Sequence, residues 1–128
     1  MIKELSVEEL MKWKDKGFGH VELIIVKTRN CPKCIKFLNH FDKYLEDLDN
    51  FGYENVAVFT QENTSEYEAS RKFFQELNLS SVPAVLYKQD KNVCIKFTDN
   101  LYAFDTWMEV YLEIRKSIEI SVDDLDLI

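Results

Sequence analysis

His20-Val21-Glu22-Leu23-Ile24-Ile25-Val26-Lys27, then Thr28-Arg29-Asn30, then Cys31-Pro32-Lys33-Cys34, is the stretch whose reading decides the fold. The uncharged, largely β-branched centre of its first part is the pattern of a strand buried on both faces. From Cys34 onward the apolar positions are Phe37, Leu38, Phe41, Tyr44, Leu45 and Leu48. Those steps of three and four predict one long helix with a single apolar stripe. A buried strand therefore leads through a turn carrying two cysteines into a helix.

The flanking segments extend the pattern. Ser6-Val7-Glu8-Glu9 reads as a capping box, a hydroxyl followed three residues later by an acid, and the helix it opens should stop near Gly17. Asn55 to Thr60 is a second apolar strand. Ser65-Glu66-Tyr67-Glu68 repeats the capping-box spacing, ahead of a helix with Tyr67, Ser70, Phe74 and Leu77 on one face. Val82 to Tyr87 reads as a strand entered through Pro83, and Gln89 to Asn92 as a turn. Val93 to Phe97 then alternates as the hairpin partner. Asp99 or Asn100 can cap a last helix bearing Leu101, Phe104, Met108, Tyr111 and Leu112. Strands alternating with helices, closed by a hairpin and a helix, predict an α/β domain with a central mixed sheet flanked by helices. Its expected span is residues 1–117, with an acidic tail at 118–128.

A chain of 128 residues suits one hydrophobic core. The net charge of −7 argues against nucleic-acid phosphates as partners. The longest apolar run, Leu23 to Val26, is too short for a membrane span, and no secretory signal pattern opens the sequence. A cytoplasmic location is the expectation.

Three cysteines are too few for a disulfide-stapled scaffold, so the Cys31/Cys34 spacing points to redox or metal chemistry. At a helix start, unpaired N–H groups and the positive dipole end would face Cys31 and favour its thiolate, the reactive form. Arg29, Lys33 and Lys36 add charge of the same sense. Pro32 at the first helical position stiffens the turn without losing a hydrogen bond. Cys34, which opens the apolar stripe, should lie buried beneath Cys31. In such a geometry Cys31 attacks a substrate disulfide, and Cys34 then releases the reduced product. A structural zinc site needs four ligands, and neither His20 nor His40 supplies a second pair, so no metal and no cofactor is expected. Cys94, among alternating apolar neighbours, reads as a small packed hydrophobe.

The order helix, strand, Cys-Pro-Lys-Cys, long helix, strand, helix, Val-Pro, hairpin, helix resembles the thioredoxin superfamily over about residues 1 to 117. Cys31-Pro32-Lys33-Cys34 and Val82-Pro83 carry the resemblance. It implies a thioredoxin-like fold, a cis peptide bond before Pro83, and a Val82 backbone that pairs with an extended substrate. It further implies disulfide-containing protein substrates, with a thioredoxin reductase or glutathione as electron donor. The proline after the first cysteine and Lys27 resemble glutaredoxins, whereas the N-terminal helix and the length look more like thioredoxin. The sequence departs from the thioredoxin pattern at Asn30, where the family has tryptophan, and at Ile25, where it buries an acid. The alternative reading is a binding module on the same fold, its cysteine pair regulatory or vestigial.

Overall fold

A computed structural model describes residues 2–49 and 55–126, and the side chains of 2–48 and 55–114. Its elements are β1 (Lys3–Glu4), α1 (Val7–Lys16), β2 (Leu23–Thr28), α2 (Pro32–Phe41), α3 (Leu45–Asp49), β3 (Val56–Gln61), α4 (Glu68–Glu76), β4 (Ala84–Gln89), β5 (Asn92–Phe97) and α5 (Leu101–Asp126). The strands form one five-stranded mixed sheet in the order β1-β3-β2-β4-β5. β3 runs parallel to both β1 and β2, whereas β4 is antiparallel to β2 and to β5.

The central strand β2 is why the sheet is covered on both sides. Leu23, Ile24, Ile25 and Val26 are all fully buried, although successive side chains point to opposite faces. On one face Ile24, Val26, Ala57, Phe59 and Leu86 form a single cluster with Leu5, Leu10 and Trp13 from the N-terminal region and Phe73 and Phe74 of α4. The connection from β1 to β2 crosses the sheet in one direction, and that from β2 to β3 returns in the other. Right-handed crossovers in opposite directions place α1 and α2 on opposite faces. The buried stripe Cys34, Phe37, Phe41, Tyr44 and Leu48 accordingly belongs to the second face.

Ser6 caps α1 as the spacing predicts: its hydroxyl accepts from Glu9 N (3.2 Å) and its own N–H donates to Glu9 Oε1 (3.1 Å). Gly17, at φ 83°, ends the helix. Several sequence expectations are corrected. The second capping box does not form, because Ser65–Tyr67 make a 3₁₀ turn and α4 starts at Glu68 behind Tyr67, which gives no side-chain cap. Tertiary contacts organise that turn instead: Gln61 Nε2 donates to the Tyr67 carbonyl (3.4 Å), and Ser70 Oγ donates to Gln61 Oε1 (2.6 Å). The long helix is broken by a 3₁₀ turn at Asp42–Tyr44 between α2 and α3, although the stripe continues across the break. β2 begins at Leu23, not His20, since Val21 N closes a turn onto the Phe18 carbonyl.

The hairpin turns at Asp90, whose φ of 58° suits aspartate better than a β-branched residue. The compact unit holding the sheet ends at Thr98, and a second begins at Asp99. In the second, the Asn100 side chain accepts from Ala103 N (3.0 Å), and α5 runs to Asp126 through most of the segment expected to be a tail.

Candidate functional site

The site begins where β2 runs out. After Thr28 the chain turns through Arg29-Asn30, with Asn30 in the left-handed region at φ 54°. Asparagine tolerates that region far better than bulky residues do. A local backbone requirement thus accounts for asparagine directly before the first cysteine. Cys31 follows in an extended conformation as the N-cap of α2 (φ −112°, ψ 100°), with Pro32 at the first helical position. Its Sγ accepts from Cys34 N at 3.2 Å, and its carbonyl from Cys34 N and Ile35 N at 3.1 and 3.2 Å. The sulfur occupies the place a serine or aspartate oxygen takes at an ordinary N-cap. Cys31 and Cys34 are joined as a disulfide with Cα atoms 5.2 Å apart. Cys31 is half-exposed and Cys34 is 2% exposed, so an incoming group meets the first sulfur before the second.

The first turn of α2 contains no acid, and Lys33 and Lys36 are exposed on it. Arg29 forms an ion pair with Glu62, just past β3, so its charge is largely compensated there. The Tyr67 phenol lies within the electrostatic reach of the same carboxylate. Desolvation first, then the charge and hydrogen bond of Glu62, hold Tyr67 above its ordinary value, against an opposing effect of Arg29. Glu62 was not marked by the sequence, because it lies 33 positions beyond Arg29 and no local pattern links the two.

The pairing of Val26 with Ala84 sets the start of β4 beside the end of β2. Val82 and Pro83 therefore lie toward the sheet end from which Cys31 departs. The Val82–Pro83 peptide bond is cis. The Pro83 carbonyl accepts a buried 2.6 Å hydrogen bond from the Thr98 hydroxyl, which ties the end of β5 to the start of β4. Thr98 is a further residue that sequence reasoning missed.

A cavity of about 310 Å³ opens at the carboxyl ends of β2 and β3, lined by Thr28, Gln61, Glu62, Asn63, Arg71, Phe74, Gln75 and Leu79. Much of its polar lining is internally paired: Arg71 donates to Asn63 Oδ1 (3.2 Å), and Gln61 bridges Ser70 and Tyr67. Among the described residues, no three His, Cys, Asp or Glu side chains gather as metal ligands. His20 is exposed and His40 packs edge-on against Tyr44. Cys94 is free and half-buried on β5, opposite Tyr87. No helix among the described residues is long and apolar enough to cross a membrane. No known family model matches the chain.

Proposed function

We propose that the chain is a thioredoxin-like thiol–disulfide oxidoreductase that reduces protein disulfides through Cys31 and Cys34. The observation that carries this reading is a half-exposed cysteine at the N-cap of α2, within disulfide distance of a buried cysteine one turn further on. Reduced, Cys31 is the nucleophile: the Cys34 N–H that meets its sulfur and the helix end favour the thiolate. Its attack on a substrate disulfide gives a mixed disulfide, and Cys34 attacks Cys31 to release the reduced substrate. Pro32 stiffens the turn, while Lys33, and Arg29 to the extent that Glu62 leaves its charge uncompensated, assist the thiolate. Val82 offers backbone groups to an extended substrate, with Pro83 setting their direction. The cycle needs no bound cofactor in the chain, and a thioredoxin reductase or glutathione returns the electrons. It suits a reducing compartment such as the cytoplasm.

One observation favours a second reading, a binding module with a regulatory or vestigial pair. Ile25, fully buried, stands where thioredoxins bury the acid thought to help deprotonate the second cysteine. Insulin reduction separates the two, with thioredoxin reductase and NADPH in one arm and glutathione in the other. Turnover in either arm that disappears in Cys31→Ser supports the oxidoreductase. Absence of turnover in both arms supports the binding module.

A further inference from the structure

Lys33 and Lys36 stand three positions apart on α2, a spacing that sets both on one side of a helix, and both are exposed. Among the described residues neither is paired with a carboxylate. Arg29 differs, being tied to Glu62. The segment Asn78-Leu79-Ser80-Ser81-Val82-Pro83, which leads to the same end of the sheet, contains no charged residue. The surroundings of the disulfide thus carry two uncompensated positive charges in a chain whose net charge is −7. Ile35, between them in sequence, is 60% exposed and adds an apolar contact.

From this arrangement we infer that the preferred substrates are disulfides flanked by acidic residues, and that Lys33 and Lys36 determine the preference. The inference rests on the oxidoreductase reading and names its substrate class. Opposite charges beside two reacting sulfurs raise the encounter rate, and like charges lower it. The reaction balances within the pair of molecules. The Cys31 thiolate bonds to one substrate sulfur and expels the other as a thiolate. The Cys34 thiolate then bonds to Cys31 and expels the first substrate sulfur. Two electrons pass to the substrate, and the protons lost by Cys31 and Cys34 are matched by those its thiolates take up from solvent.

The test is a single turnover of pre-reduced protein, which needs no added reductant. Three probes are compared: neutral bis(2-hydroxyethyl) disulfide, and two equal-length cyclic peptides whose disulfide is flanked by Asp and Glu or by Lys. At about 10 mM salt, where the Debye length is about 30 Å, the acidic peptide should react about tenfold faster than the basic one. At about 1 M salt, with a Debye length of about 3 Å, the ratio should fall to within about twofold. Lys33→Glu combined with Lys36→Glu should invert the low-salt ratio. A change in sulfur reactivity alters both peptide rates together and leaves their ratio unmoved. Equal rates, or preference for the basic peptide, while the neutral disulfide is reduced, would overturn the inference alone. Failure to reduce even the neutral probe would overturn the oxidoreductase reading and the inference with it.

Discussion

Thr98→Val removes one hydroxyl and little else. That hydroxyl is 6% exposed in its residue context and donates a 2.6 Å bond to the Pro83 carbonyl. Valine keeps the shape but leaves the carbonyl without this donor in a buried position, which costs about 1–3 kcal/mol. The added methyl recovers part of that, so a net loss of about 1–2 kcal/mol is expected. For a domain of this size, such a loss lowers Tm by roughly 3–10 °C. The effect on function should be separable from the effect on stability. The bond holds the segment that we propose meets substrate, whereas the Cys31 sulfur is set by the N-cap of α2. Turnover of a peptide disulfide, measured well below Tm, should therefore fall several-fold, while the alkylation rate of reduced Cys31 by iodoacetamide stays within about twofold, well inside a 1.4 kcal/mol tenfold step. Thr98→Ser, which keeps the donor, should restore most of both turnover and Tm. Unchanged turnover in Thr98→Val, or equal losses in Val and Ser variants, would show that the bond does not position the Val82-Pro83 segment.

Other consequences are open to direct measurement. Iodoacetamide should label Cys31 before Cys34 and Cys94 in reduced protein, because Cys34 is buried; peptide mass mapping reads the order. Ser6→Ala should destabilise the fold by about 1 kcal/mol through loss of the α1 cap, as measured by urea titration. Glu9 is held below its ordinary value by the hydrogen bond from Lys3 and then by the Ser6 backbone N–H. Its ionised form therefore stabilises the fold above the ordinary glutamate value of about 4.3, and that contribution is lost as pH falls through the lower folded value. Glu9→Gln should flatten this part of the stability–pH curve in melts between pH 3 and 6. Phe59→Ala should cost about 3–5 kcal/mol, since the ring is fully buried against Tyr67 and Phe74 at centroid distances of 6.0 and 5.8 Å.

What could be read from the sequence follows the range of the interactions. The α1 cap and the strand leading to Cys31 depend on neighbours within a few residues and on hydrophobic pattern, and both are present in the structure. The capping-box signature at Ser65 is as good locally as that at Ser6. It fails because Gln61, at the end of β3, organises the turn through Tyr67 and Ser70. Hydrophobic steps of three and four did not reveal the 3₁₀ turn at Asp42–Tyr44, since both helix types keep such a stripe on one side. β1 was invisible because two exposed, charged residues form it by pairing with the distant β3, through the backbone and through a 2.6 Å hydrogen bond from the Thr60 hydroxyl to Glu4 Oε1. At the site, the cysteine pair is a local motif. The Glu62 partner of Arg29 and the Thr98 bond to Pro83 are created only when distant strands come together.

The central claim is that Cys31 attacks and Cys34 resolves. Intermediate trapping addresses it directly: reduced Cys34→Ser and Cys31→Ser proteins are each mixed with one disulfide peptide, and covalent adducts are counted by intact mass. A stable peptide adduct on Cys31 is expected in Cys34→Ser, and none in Cys31→Ser. Equal adducts in both, or none in either, would contradict it.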